Sequence, residues 1–233
     1  MKTSRGLAAL ILTILFQTQL AAEYLYKDTV IFNPKFQKEV QKLGSELYEK
    51  TGISLRLMML KELPEGINIA EYEKEAIAGL KEPTIVLTFS EMDSKVDILA
   101  NDKSLYKYFD KKQVLSPAAS LVQAYLMAVL YSSSFDDFNE VRGDYGGTIL
   151  PLLAEKTKKN EHLGKFSGAM FNGYIDIAGQ IAKSKGVELE YPTGSSNNYI
   201  ITTLKVLFYG TLLYALIMYL KKKFYLKRQA DEY

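Results

Sequence analysis

Apolar residues recur along the middle of the chain in two patterns, one typical of amphipathic helices and one typical of buried strands. Helical spacing begins after Asn33, a residue that favours the N-cap position, and stops at Gly52, a residue typical of helix ends. Residues 53–60 are apolar on both faces, which predicts a central strand. Residues 84–90 and 95–100 predict two more strands, joined by a polar turn of hairpin length.

Further helices are predicted between and after these strands. Asn68 and Glu71 have the spacing of a capping box, so we expect a helix to begin there. Residues 148–158 and 166–185 also show helical spacing, and residues 23–32 form a short extended lead-in. The order of helix, strand, helix, strand and strand predicts an α/β fold with a mixed sheet sandwiched by helices.

One segment in the second half of the chain is apolar nearly all round. Residues 118–131 follow Ser116 and Pro117, which favour a helix start, and they are too few to cross a bilayer. We therefore predict a buried core helix here, followed by a polar, turn-rich connection over residues 132–147. Leu126 should lie in the core, so that a charged residue in its place would unfold the domain.

The longest apolar stretch lies near the C-terminus, at residues 199–220, with Tyr199 and Leu220 at its ends. Its length matches the roughly 20 helical residues that span a bilayer core, and a buried helix of a soluble domain would rarely be apolar on every face. By the positive-inside rule, the basic cluster that follows assigns residues 221–233 to the cytoplasm. That cluster consists of Lys221, Lys222, Lys223, Lys227 and Arg228.

The N-terminus has the layout of a secretory signal peptide over residues 1–22. A short basic start precedes an apolar core, and Ala21 and Ala22 are small residues suited to cleavage. An uncleaved signal anchor is the alternative, because the residues just before the cleavage point are not all small. In both cases residues 23–190 are predicted to form an exported domain, joined by a linker at residues 191–198 to a transmembrane helix.

Charge and cysteine content narrow the classes of function. The chain has a formal net charge of +2 at pH 7, but its basic excess lies at the two ends, so the predicted exported domain is mildly acidic. Nucleic-acid binding, which needs a basic face, is therefore not expected. With no cysteine and one histidine, His162 in a lysine-rich loop, the chain lacks the parts of a usual zinc site or of a serine or cysteine triad.

An acidic cluster in the predicted connection offers candidate metal ligands: Asp136, Asp137, Glu140 and Asp144. Hard cations such as calcium bind clustered carboxylate oxygens. The spacing differs from that of an EF-hand loop, so an ordinary solvated loop is the alternative. Calcium is therefore a weak candidate cofactor, and no other cofactor is predicted.

Several short motifs resemble the TPM domain, a family of exported and often membrane-tethered modules. The family opens with an aspartate, a capped helix ending in Lys-Thr-Gly, and a strand. It continues with a short helix, a strand pair, an aliphatic-aliphatic-proline motif and a last helix rich in glycine and alanine. The matching positions are Asp28, Asn33, Lys50, Thr51, Gly52, residues 53–60, 69–80 and 84–100, Ile149, Leu150, Pro151 and residues 166–182. Residues 111–142 look like an insertion, and the family's glycine-rich turn after the strand pair is missing.

The resemblance implies a role in the assembly or maintenance of a membrane protein complex. Because the usual catalytic parts are missing, we predict a non-enzymatic module in a bacterial inner membrane, with its domain in the periplasm. Its partners would be the lipid bilayer and a membrane protein. The alternative is a metal-dependent acid phosphatase, an activity that the resemblance implies for some members. Its candidate residues, besides the acidic cluster, are Asp93, Asp97 and Asp102, which flank the predicted strand pair.

Overall fold

The computed structural model of the chain describes residues 24–158 and 161–191, together with the separate helical positions 210, 211, 214, 217, 218 and 221. The chain divides into two units, Met1–Tyr191 and Pro192–Tyr233. The predicted signal peptide at residues 1–22, and most of the predicted linker and transmembrane helix, lie outside the described residues.

The first unit is built on a sheet of four strands in the order β1-β2-β3-β4. The strands are β1 (Leu25–Asp28), β2 (Ser54–Leu60), β3 (Thr84–Ser90) and β4 (Lys95–Ala100). β1, β2 and β3 run parallel, and β4 pairs with β3 in the antiparallel direction. The predicted α/β class and mixed sheet are thus confirmed, and the extended lead-in supplies the edge strand β1.

The helices of the described chain surround this sheet and extend beyond it. They are α1 (Pro34–Thr51), α2 (Ile69–Ile77), α3 (Lys111–Val114), α4 (Leu121–Tyr131), α5 (Phe135–Gly143), α6 (Leu150–Ala154) and α7 (His162–Lys185), with a 3-10 helix at Lys103–Tyr108. The Asn33 side chain accepts a hydrogen bond from the Lys35 amide, and Gly52 ends α1 with a φ of 72°. Asn68 and Glu71 form the predicted capping box of α2.

Helices cover both faces of the sheet. α1 and α7 pack over the face that carries Leu57 of β2 and Leu87 of β3, both fully buried. α2 covers the opposite face, where Met58, Ile77 and Val86 form a smaller apolar cluster. Because neighbouring residues of a strand point to opposite faces, the two helical layers explain why β2 is apolar throughout.

The two helices of the larger layer meet closely at Gly44 of α1. A side chain at this position would overlap the Tyr24 ring and the Tyr174 hydroxyl. That hydroxyl donates a hydrogen bond of 2.7 Å to the Leu55 carbonyl oxygen in β2. Tyr174 of α7 therefore ties the helical layer directly to the central strand, and only glycine at position 44 leaves room for it.

The structure corrects the prediction for the segment that follows the sheet. α4 begins at Leu121 rather than near Pro117, and only Ala124 and Ala128 in it are buried. Leu126, expected in the core, is 59% exposed. The predicted core helix is therefore wrong: α4 packs mainly against α5 instead of against the sheet.

Smaller differences concern the helix boundaries around α4. The expected polar connection at residues 132–147 contains α5, whose first turn is capped by Ser134. The helix expected at residues 148–158 is only the short α6, and α7 begins at His162 rather than at Phe166. These boundaries depend on caps and turns, which residue periodicity locates poorly.

Candidate functional site

The four carboxylates proposed as metal ligands lie on or just after α5. The Asp137 carboxylate accepts a hydrogen bond of 2.7 Å from the Ser133 amide, and the Glu140 carboxylate pairs with Lys112 at 3.4 Å. Asp136 lies in the first turn of α5, and Asp144 follows its last residue. Within the described residues, no group of three or more side chains is placed to hold a metal ion, so calcium binding stays a prediction.

The three aspartates around the strand pair each make a local structural contact. Asp93 accepts from the Ser90 hydroxyl at 2.5 Å and the Leu63 amide at 2.9 Å, and these bonds lower its pKa. Asp97 forms an ion pair with Lys111 at 2.5 Å. Asp102 accepts from the Ser104 amide at 2.8 Å, which lowers its pKa and caps the 3-10 helix. The structure does not bring the three together into one site.

The remaining sequence candidates are His162 and the residues of the predicted anchor and basic tail. His162 is the first residue of α7, and its ring centroid is 6.1 Å from that of Phe166. Tyr199, Leu220, Lys222, Lys223, Lys227 and Arg228 lie outside the described residues. Lys221 is described as helical and exposed, as are Gly210, Thr211, Tyr214, Ile217 and Met218. No helix within the described part of the chain is long and apolar enough to cross a membrane.

A buried carboxylate on α2 is a feature that our sequence analysis missed. Glu73 is 0% exposed, and neither of its carboxylate oxygens has a hydrogen-bond partner. It faces Thr88 of β3 and the Asp97–Lys111 ion pair. Burial raises the pKa of Glu73 to about 8, and the nearby Asp97 carboxylate acts in the same direction, so Glu73 is mainly protonated at neutral pH. The available signal was its position four residues from Ile77, on the inward face of the predicted helix.

A polar network on α7 holds the base of the segment that the sequence suggested as an insertion. The Asp176 carboxylate accepts hydrogen bonds from the Thr148 hydroxyl at 3.1 Å and from the Gln113 amide group at 3.2 Å. The Gln180 side chain donates to the Gln113 amide oxygen at 2.6 Å, and Gln113 also donates to the Gly146 carbonyl oxygen. The chain is therefore fixed to α7 on both sides of the part that contains α4 and α5, and these two helices pack mainly against each other.

That part is a helical pair, α4 and α5 with the connection 132–134, which we call the apolar hairpin. Its inner contacts are aromatic: the Tyr125 and Phe138 rings meet edge to face at 5.6 Å, and Phe135 stacks on Phe138 at 6.5 Å. The outer surface of α4 is apolar and exposed, as is Phe135 at the start of α5, whereas the rest of α5 also exposes Asp136, Glu140 and Arg142. The exposed fractions are 79% for Val122, 59% for Leu126, 60% for Val129, 63% for Leu130, 74% for Tyr131 and 77% for Phe135.

This exposed surface is wide and carries no charge. With about 100° between successive helical residues, the exposed apolar positions from Leu121 to Leu130 cover half of the circumference of α4. Residues 113–135 contain no charged side chain. A continuous apolar patch of this kind marks a surface that another apolar body covers. The apolar hairpin is therefore the candidate functional site of the described chain.

We compared the chain with protein-family models and with curated proteins. Neither the protein-family models nor the curated proteins include a match to this chain. The function is therefore argued from the chain itself.

Proposed function

We propose that this chain is an exported, membrane-anchored module of TPM type, which works without enzymatic activity at the membrane surface and supports a membrane protein complex. One observation carries the proposal: a well-packed α/β domain exposes an apolar hairpin that its own core does not cover. An apolar surface of this size is a liability in a freely diffusing protein and an advantage in one that is held beside a membrane.

The predicted anchor supports the same function. Residues 199–220 are apolar apart from Lys205 over the length of a bilayer core, and the basic cluster from Lys221 to Arg228 favours a cytoplasmic position for residues 221–233. Together with the signal peptide proposed for residues 1–22, this arrangement puts the α/β domain in the periplasm. Protease added to spheroplasts should digest the domain and spare the tail, whereas a protected domain would contradict this topology.

The TPM assignment draws support from the order of elements and from two packing details. A capped α1 is followed by the central strand β2, the short helix α2 and the β3–β4 pair, as the resemblance implies. The last helix, α7, packs against α1 and against β2 of the sheet. A side chain at position 173, where α7 has glycine, would overlap Ile149 of the aliphatic-aliphatic-proline motif. Small residues in α7 thus permit a close helix contact.

A binding role is also supported by what the carboxylates near the strand pair do. Asp93 and Asp102 hold a turn and a helix start, and Asp97 is engaged by Lys111. These contacts give each aspartate a structural task in the fold. They favour the binding module over the phosphatase that the resemblance offers as an alternative.

The function is tested by complementation in a strain that lacks the gene. We expect the wild-type chain to comigrate with a larger membrane complex on a native gel and to restore its amount. A hairpin variant that carries Val122→Ser, Leu126→Ser and Val129→Ser should do neither, because it lacks the apolar surface that holds the domain beside the membrane. The matched control changes three apolar residues that are exposed elsewhere: Phe32→Ser, Met92→Ser and Leu163→Ser. A wild-type chain that migrates alone, with every membrane complex unchanged in the deletion strain, would contradict the proposal.

A further inference from the structure

We infer that the apolar hairpin docks into the lipid bilayer itself, lying in the interfacial layer of the membrane that anchors the C-terminus. The inference rests on the proposed function, since it requires the α/β domain to be held beside that membrane. It adds the chemical identity of the surface that the hairpin contacts, namely phospholipid. The argument comes from the width of the apolar surface, its residue types, its position relative to the anchor and its charge.

The width of the exposed surface favours lipid over a protein groove. An amphipathic helix that packs on a protein buries a stripe of somewhat more than about 100°. The exposed apolar side chains of α4 cover about 180°, from Leu121 to Leu130, and Tyr131 lies further round. A groove of that width would leave part of this surface in water, whereas the boundary between lipid headgroups and acyl chains can bury a broad apolar face.

The exposed residue types of the hairpin are aliphatic and aromatic, which favours burial in lipid. Val122, Leu126 and Val129 supply aliphatic surface in the middle of α4, and the segment around them carries no charge that would have to be desolvated. Tyr131 and Phe135 lie on either side of the 132–134 connection and are both strongly exposed. Aromatic rings are enriched at the level of the lipid headgroups. We therefore expect Tyr131 and Phe135 to lie at that level.

The short linker between the domain and the predicted anchor favours a contact between the hairpin and the membrane. Tyr191 is the last described residue before the predicted anchor, and its ring centroid lies 5.6 Å from that of Phe171 in α7. Asp176, about 8 Å further along the helix axis, holds Thr148 at the base of the hairpin. Residues 192–198 can extend at most about 25 Å, and α4 is about 16 Å long. The linker therefore limits the distance between Tyr191 and the start of the predicted anchor to about 25 Å.

Charge further defines the kind of binding. The first turn of α5 carries Asp136 and Asp137, close to the 132–134 connection, and no lysine or arginine lies there. Anionic lipids would repel these carboxylates rather than attract the hairpin. Insertion is therefore driven by burial of apolar surface, so it should occur in neutral phosphatidylcholine and should not depend on salt.

The test uses spin labels on the full chain reconstituted into phosphatidylcholine nanodiscs. Because the chain has no cysteine, a single Cys introduced by substitution gives one labelled position. The test positions are Leu126→Cys and Val129→Cys, and the matched control is Met92→Cys, an apolar residue in the β3–β4 turn that is 66% exposed. Tyr214→Cys reports on the predicted anchor. Depth follows from the relative access of oxygen, which dissolves in lipid, and of a water-soluble nickel chelate.

We expect oxygen to dominate at positions 126, 129 and 214, and the nickel chelate to dominate at position 92. Adding salt or anionic lipid should not deepen the labels at 126 and 129. A second substitution, Leu126→Asp, should move the label at 129 into water and leave the thermal midpoint of the domain unchanged, because position 126 is exposed.

The outcomes separate the inference from the proposed function. If position 214 is in lipid while 126 and 129 are in water, the inference is overturned and the membrane anchor stands. If position 214 is also in water, the proposed anchoring fails as well. If neither oxygen nor the nickel chelate reaches the labels at 126 and 129, protein covers the hairpin, and this result also overturns the inference. Spin–spin broadening that vanishes on dilution with unlabelled chain would then identify a second copy as the cover.

Discussion

Two segments of this chain have similar apolar sequences and opposite environments. All seven residues of β2 are buried, including Arg56. In α4, a helix of eleven residues without a single charge, only Ala124 and Ala128 are buried. Hydrophobic composition alone would place both segments in the core. The difference teaches that an apolar sequence shows only that a segment needs an apolar environment, and not which molecule supplies it.

The physical reason lies in the number of neighbours that each segment finds in the fold. β2 has strands on both edges and helical layers on both faces, and its one charge, Arg56, pairs with Glu82 at 2.8 Å. α4 belongs to a segment fixed to α7 at its base and finds mainly α5 beside it. In β2 the protein supplies the apolar environment, and in the apolar hairpin we propose that the bilayer does.

The largest difference is expected from the same truncation in both segments. Leu57→Ala in β2 should lower the free energy of unfolding by about 2–5 kcal/mol, because it leaves a cavity in a core that cannot fully collapse. Leu126→Ala in α4 should change it by less than about 0.5 kcal/mol, as is usual for surface positions. Thermal and denaturant unfolding of the full chain measure both values. Equal losses would mean that the hairpin is part of the core.

The pH dependence of stability measures how strongly the contact between α2 and the sheet excludes water from the Glu73 carboxylate. The folded state keeps the Glu73 proton up to a pKa of about 8, whereas the unfolded chain releases it near the ordinary glutamate pKa of 4.5. The folded state then binds more protons, so between these values its stability should fall by up to roughly 1.4 kcal/mol per pH unit as pH rises.

Glu73→Gln should remove this fall and make the protein more stable than wild type at pH values above 8, as unfolding curves across the pH range would show. Glu75→Gln, an exposed change on the same helix, is the matched control and should keep the wild-type slope. An unchanged slope in Glu73→Gln would mean that the Glu73 carboxylate is solvated in the folded state.

Helix caps offer a smaller contrast between the two regions. The Asn68 side chain accepts from the Glu71 amide at 2.9 Å, and the Ser120 hydroxyl accepts from the Gln123 amide at 3.2 Å. Asn68→Ala should cost about 1 kcal/mol of global stability, because α2 covers the sheet. Ser120→Ala should leave the global midpoint unchanged and speed amide exchange only in α4. A global loss from Ser120→Ala would show that the hairpin unfolds together with the core.

The smallest effect is expected for calcium. If Asp136 and Asp137 bound calcium in the folded state alone, the ion would raise the thermal midpoint by mass action. We expect no such shift, because the Asp137 carboxylate accepts from the Ser133 amide, the Glu140 carboxylate pairs with Lys112, and Asp136 is exposed. A saturable rise that disappears in the double variant Asp136→Asn, Asp137→Asn would restore the metal site.

Much of the sheet domain could be predicted from the sequence, because its signals are local. Asn33 and Gly52 bound α1, and the Asn68–Glu71 capping box starts α2, since each interaction involves residues only a few positions apart. The strands β3 and β4 follow from short apolar runs around a polar turn, and their bounds are confirmed. The site was predicted far less well: the acidic cluster forms no common metal-binding group among the described residues, α4 was expected in the core, and α5 was expected as a polar connection.

The chain by itself therefore determined the order of elements, their caps and the α/β class, because backbone hydrogen bonding and residue periodicity act within single elements. Only the tertiary structure decided which apolar segments are covered and which ionisable groups lose water. Glu73 is protonated because α2 lies on the sheet, and Leu126 is exposed because α4 does not. Both outcomes depend on residues distant in sequence, and burial is a property of the assembled neighbours rather than of the segment.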